Sequence, residues 1–217
     1  MSDFRLPGHV HYCEIDGERV FLDLERDLYF TLPPGAAAAL DALAGASAAS
    51  PSHAALEALA ETGILVRAPL GRPVAPARHP KPDRSLVEQS RPRAGWSLLT
   101  LIQATFLIAR MRRAVARKRL PALLGRLGAM RPASGRAARD ALALRFLAAR
   151  RLVPFPPNCL SDSLALCLFL RRRGMACDLV IGAKLHPFGA HCWLQDGTSI
   201  LNDTLGAARD FHPVLIA

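Results

Sequence analysis

The sequence predicts an α+β protein built in two parts. Strand patterning dominates its beginning, helical periodicity followed by short strand-like runs fills its second half, and a proline-rich stretch lies between them. Charge divides at the same place. Residues 1–70 carry four Lys and Arg against ten Asp and Glu, net −6, whereas residues 71–217 carry twenty-four against eight, net +16. Such asymmetry points to two units with different surfaces. With 217 residues, 51% of them hydrophobic, the chain can bury a core in one large domain or two small ones.

The first part opens with strands. Residues 10–15 and 19–24 flank Asp16-Gly17, a strong hairpin turn signal. Residues 28–32 make a third strand, with Leu28, Phe30 and Leu32 on one face and Tyr29 and Thr31 on the other. Pro34 and Gly35 break it, and residues 36–44 read as a helix. Ser52 is an N-cap for a second helix through Glu61, which Thr62-Gly63 ends before the apolar run at 64–66. The outline of residues 1–67 is β-β-β-α-α with a final extended segment, close to a winged helix. Residues 68–95 hold six prolines among several arginines and read as a linker or extended strap.

Residues 96–217 form the second part. A helix from Trp96 to about Arg119 ends in a cationic stretch of Arg110, Arg112, Arg113, Arg117, Lys118 and Arg119. Its apolar run at 96–109 contains Gln103 and is only 14 residues long, too short to span a bilayer, so no membrane association is expected. Pro121, Gly128, Pro132 and Gly135 punctuate the next stretch, and residues 137–151 are helical again. Pro154, Pro156 and Pro157 force an extended approach to Asn158-Cys159. A helix then runs over 160–173 with Leu164, Cys167 and Leu168 on its apolar side, until Gly174 stops it. Residues 179–183, 190–194 and 198–203 are strand-like and make a small antiparallel sheet.

Five cysteines, an odd number without a C-x-x-C pair, speak against a disulfide framework. The first ten residues lack the apolar run of a signal peptide, and a reducing cytoplasm is expected. One cysteine has a distinctive setting. Cys159 stands where an extended approach enters a helix, so the helix dipole and the unpaired first-turn N–H groups favour its thiolate. The same N–H groups suit a developing oxyanion. Cys13, Cys167, Cys177 and Cys192 read as small buried hydrophobes.

His191, 32 residues further on, lies in a strand and has the chemistry of a base for that thiol. The group orienting its ring depends on hairpin register. A two-residue turn at Asp196-Gly197 puts Asn202 opposite His191, and a three-residue loop at 195–197 brings Asp203 diagonally onto its face. Asp203 is favoured because a carboxylate also stabilises imidazolium. His186 and Asp196 are weaker candidates, for a base in a loop and an orienter in a turn. Cys159, Cys177, His191 and Cys192 are zinc-ligand types, yet adjacent His and Cys on a strand face opposite ways and no paired spacing supports a metal site.

The segments CLSDSLALCLFLRRRG, LVIGAK, FGAHCWL and ILND resemble the transglutaminase-like leader peptidases of lasso-peptide biosynthesis, the B proteins in fused form. The likeness is strongest over residues 137–205. It implies a transglutaminase-like, papain-like cysteine peptidase domain with Cys159 as nucleophile, His191 as base and Asp203 as third member. Asp162 stands where this family often carries Arg. Residues 4–67, centred on FLDLERDLYFTL, resemble the PqqD-type recognition domain, in which a precursor's leader adds as a strand. Carried onto this chain, that edge is residues 27–32, with Leu28, Tyr29, Phe30 and Thr31 at the leader and the helix at 52–61 beside them. The resemblance further implies a ribosomal precursor peptide and an asparagine-synthetase-like cyclase as partners, and chemistry that needs no metal or organic cofactor. Rival readings are acyl transfer to an amine, a non-catalytic peptide-binding module, and a nucleic-acid-binding winged helix. The acidic front half opposes the last, because a domain gripping phosphate should itself be basic.

Overall fold

A computed structural model of the chain describes residues 3–45, 50, 52–90, 95–128 and 135–217. It is α+β and divides into two compact units, Met1–Arg78 and His79–Ala217. Residues 91–94 of the expected linker and Pro132 lie outside the described residues.

In the first unit, strands β1 (Phe4–Arg5), β2 (Val10–Ile15), β3 (Glu18–Asp23) and β4 (Leu28–Thr31) precede helices α1 (Pro34–Leu43) and α2 (His53–Glu61) and strand β5 (Val66–Arg67). Strands β2, β3 and β4 form an antiparallel meander in that order, while β5 pairs with β1. The first hairpin closes with Asp16 and Gly17 both at positive φ, the conformation that Asp-Gly tolerates best and that matches strand twist. At the second turn the buried Asp23 side chain accepts the N–H groups of Glu25 and Arg26. Ser52 caps α2 by accepting the Ala55 N–H. Phe21 stacks between Tyr12 and Phe30, with centroids 5.1 and 5.2 Å away, above a core containing Leu6, Leu40 and Leu65. Strand β4 ends the sheet, with Leu28 51% exposed at its start.

The proline-rich segment is bonded along much of its length. In the first unit the Ala68 N–H donates to Asp3 O, Arg72 exchanges two backbone bonds with Leu6, and the Ala77 N–H donates to Tyr12 O. In the second unit, Arg84–Ser85 forms strand β6, and Leu86–Gln89 forms the short helix α3.

Four longer helices come next: α4 (Leu98–Ala116), α5 (Leu120–Gly128), α6 (Arg136–Arg150) and α7 (Cys159–Arg171). After them come β7 (Asp178–Lys184), β8 (Gly189–Asp196), β9 (Ser199–Ile200), α8 (Leu205–Arg209) and β10 (His212–Ile216). The sheet runs β10-β7-β8-β9-β6, antiparallel throughout except for the parallel β6–β9 pair. Helix α7 packs between α4 and the β8 side of the sheet. It is therefore buried on nearly every side, from Ser161 through Arg171, rather than along the single stripe expected from Leu164, Cys167 and Leu168. Each fully buried Leu or Phe here contributes roughly 1.5–3 kcal/mol. The described residues contain no helix long and apolar enough to cross a membrane.

Candidate active site

The local sequence explains why Cys159 begins α7. The Asn158 side chain accepts the Ser161 N–H at 2.9 Å and the Ser161 hydroxyl at 2.8 Å, fixing the first turn. Asp162 then folds back to accept the Asn158 N–H at 3.2 Å and is held by Arg150 Nε at 2.9 Å. Arg150 also donates to Phe155 O, and Arg112 donates to Pro156 O. The proline-rich approach is thus tied to α4, α6 and α7. Asp162, unusual for the resembled family, serves this local scaffold.

Cys159 is the exposed cysteine; Cys13, Cys167, Cys177 and Cys192 are all buried. Interaction with the His191 ring lowers the Cys159 thiol from its ordinary value. Partial burial opposes this, while the backbone N–H groups of Cys192 and Leu160 assist it. His191 Nε2 lies 2.8 Å from Asp203 Oδ2, leaving Nδ1 as the ring nitrogen for the sulfur. The Asp203 bond is the main reason the imidazole is raised to about 9, with Cys159 adding to it and burial opposing it. Burial pushes Asp203 up, but the His191 ring and the Thr204 N–H outweigh it and hold the carboxyl below its ordinary value. The stacked Trp193 ring and the tilted Phe211 ring lie 5.9 and 5.3 Å from the imidazole centroid. Gly182, paired with His191 across the sheet, leaves room for them, because a Cβ there would sit 2.8 Å from Trp193 and 2.9 Å from Phe211.

Asp203 reaches the ring by a route that neither expected register describes. The observed pairs are Gln195↔Ile200 and Asp196↔Ser199, so the turn residues are Gly197 and Thr198. Continued regularly, that register would place Asp203 opposite Cys192, on the face away from His191. Strand β9 ends at Ile200, however, and the bend over 201–203 swings the carboxylate to the imidazole. Asn202 instead accepts the Leu194 N–H at 2.7 Å and donates to Ser163 Oγ at 2.8 Å, while Ser163 donates to Cys192 O at 3.0 Å. This chain of bonds joins α7 to β8.

Two further positioning residues lie in the segment read as linker. The buried Ser85 hydroxyl donates to Asp203 O at 2.6 Å, and Glu88 accepts the Leu205 N–H at 3.2 Å, bracing the bend from both ends. Their signal was present as Ser85-x-x-Glu88, a capping-box pattern that starts α3. The weaker candidates fall elsewhere. His186 is exposed, and Asp196 is paired with the buried Arg139 at 2.6 Å. Among the described residues, no group of three or more His, Cys, Asp and Glu is placed to hold a metal ion. In the first unit, Phe30 packs on the core, Tyr29 is half-buried, and Leu28 and Thr31 are exposed.

A thiol, an imidazole and a carboxylate in series, at the start of a helix packed on an antiparallel sheet, can perform acyl chemistry. Over 49 residues the chain is 39% identical to the microcin J25-processing protein McjB of Escherichia coli, a stretch covering 23% of this chain. The match spans only 24% of that curated relative's length. No solved structure matches the chain. The transglutaminase-like superfamily matches residues 98–216, which contain Cys159, His191 and Asp203 and more than half of the sequence. The chain belongs to the transglutaminase-like superfamily.

Proposed function

We propose that this protein is a leader peptidase of lasso-peptide biosynthesis, cutting a ribosomal precursor between leader and core. The observation that carries the reading is the Cys159 thiol at the start of α7, its ionisation favoured by an imidazole that Asp203 keeps protonated. The thiolate attacks the scissile carbonyl carbon, and the oxyanion faces first-turn N–H groups such as that of Cys159. As the C–N bond breaks, the imidazolium passes its proton to the leaving amine, which departs with the core. Water, deprotonated by His191, then attacks the thioester. Collapse releases the leader as a free acid and restores the thiolate–imidazolium pair. The likeness to a microcin-processing protein supports a precursor peptide as substrate.

In this reading Met1–Arg78 is a PqqD-type recognition domain that binds the leader as a strand along β4, at Leu28, Tyr29, Phe30 and Thr31. The position of β4 at the end of its sheet supports this. Tethering the leader raises the local concentration of the scissile bond, so the cleft need read few residues. The freed amine would pass to an asparagine-synthetase-like cyclase in the cytoplasm.

The test incubates the full chain with leader-bearing lasso-precursor peptides and identifies products by mass spectrometry. Free-acid leader and free-amine core are expected, and both should vanish with Cys159→Ala. Cleavage that survives this substitution, or leader joined to an added amine in preference to water, would overturn the proposal. Leu28→Glu should raise KM several-fold and leave kcat unchanged if β4 receives the leader.

A further inference from the structure

Two hollows in the second unit share a lining residue, Arg113. One, of about 410 Å³, is lined by Asn158 and Ser161 of the α7 N-terminus and by Arg112 and Arg113 of α4. The other, of about 350 Å³, lies between α4 and α5 over an apolar floor that includes Phe106 and Leu123. Arg110, Arg113, Arg117, Arg119 and Arg126 rim it. The two adjoin at Arg113 as a trough whose near end reaches Asn158, the residue before Cys159. Among the described residues, no carboxylate lines either hollow.

An arginine-rich surface would by itself explain little in a chain with 28 Lys and Arg. The contrast within the same unit decides otherwise. Arg139 and Arg150 are paired with carboxylates, and Arg171 is bonded to three carbonyls. The side chains of the five rim arginines have no ion-pair or hydrogen-bond partner among the described residues. They are exposed, and they stand close together although like charges three or four residues apart destabilise a helix. A surface that accepts such repulsion around a hollow with an apolar floor is suited to a ligand carrying carboxylates and apolar side chains.

We infer that this trough is a subsite for acidic residues of the peptide being cleaved, close to the scissile bond. The inference rests on the hydrolase reading above. The reach of the trough to Asn158, next to Cys159, favours a peptide over nucleic acid or anionic lipid, since only the peptide brings an acyl carbon to that cysteine. From Arg110 to Arg117 is seven residues of helix, roughly 10 Å, or about three residues of extended peptide. The preferred Asp and Glu should therefore lie within about six residues of the cut, on one side of it.

The experiment uses the full chain and the leader-bearing precursor with randomised positions on both sides of the cut, read by mass spectrometry. Cleaved members should be enriched in Asp and Glu on one side, by roughly three- to tenfold in kcat/KM at low salt, and less at high salt. The double variant Arg113→Gln/Arg117→Gln, at exposed positions, should lose the enrichment yet cleave acid-free members as before. Cleavage with no acidic preference, or a preference that the variant keeps, overturns the inference. If the whole pool stays intact, the hydrolase reading fails, and the trough is judged by fluorescence anisotropy with a labelled decapeptide of Glu, Ala and Leu. Binding that the double variant loses upholds an acidic-peptide site. No binding, or equal binding to random DNA or phosphatidylglycerol vesicles, overturns it.

Discussion

Asp203 decides which protonation state His191 holds near neutral pH. Its bond to Nε2 is the main reason that the imidazole titrates at about 9 instead of 6.5, and the thiol titrates below its ordinary value. The thiolate–imidazolium pair then exists above the lowered Cys159 value and below about 9. A pH profile of kcat/KM should fall on the alkaline side near pH 9 as the imidazolium is lost. Asp203→Asn should move that limb down toward the ordinary imidazole value and reduce kcat by on the order of 10²-fold or more. Stability carries the same sign. A His raised in the folded state stabilises fully below its unfolded value of 6.5, and this contribution disappears as pH rises through about 9. Thermal midpoints of the native chain should therefore fall across that window more than those of Asp203→Asn. At this scale Cys159 and His191 were legible in the sequence, because a helix start and a strand position are local properties. The meeting of Asp203 with His191 was not, because it depends on a bend after β9 that no alternation pattern records.

Helix α7 carries the thiol, and its N-cap and buried surroundings can be tested separately. Asn158→Ala removes the acceptor of two bonds and should cost about 1 kcal/mol of stability. It should also slow Cys159 alkylation by iodoacetamide at neutral pH, since the first turn that favours the thiolate frays. Gly182→Ala tests the neighbouring strand. Its Cβ collides with Trp193 and Phe211, so a loss of roughly 1–3 kcal/mol is expected, with a drop in kcat because both rings flank His191. Helices α4, α6 and α7 and strands β2, β3, β4, β7 and β8 were readable from periodicity and caps. Helix α5 was missed because Pro121 and Gly128 read as breaks, although Pro is tolerated in a first turn and Gly at a helix end. Strand β10 was not read from the sequence, and Pro213 lies within it. An edge strand with a shifted register accommodates that proline.

Across the whole chain, residues 1–70 are net acidic and 71–217 net basic, and the structure divides into two compact units at Arg78–His79. Inside the second unit, Arg171 joins distant parts of the chain. Its buried guanidinium donates to Leu127 O in α5, to Cys177 O before β7 at 2.8 Å, and to Ala217 O at 2.9 Å. Arg171→Met should cost on the order of 3–5 kcal/mol, read as a lower urea midpoint, because three carbonyls lose their donor together. Which carbonyls Arg171 meets was not legible in the sequence, since Leu127, Cys177 and Ala217 are brought to it by tertiary packing.

Taken alone, the order of residues determined where helices and strands begin, where charge changes sign, and which thiol sits at a helix start. These are set by neighbours along the chain. Only the tertiary structure decided that residues 79–90 belong to the second unit, that Ser85 and Glu88 brace the Asp203 bend, that Asn202 binds α7 to β8, and that five arginines surround one hollow. Each of these joins residues far apart in sequence. Their geometry is set by how α7 and the sheet pack, which no local pattern encodes.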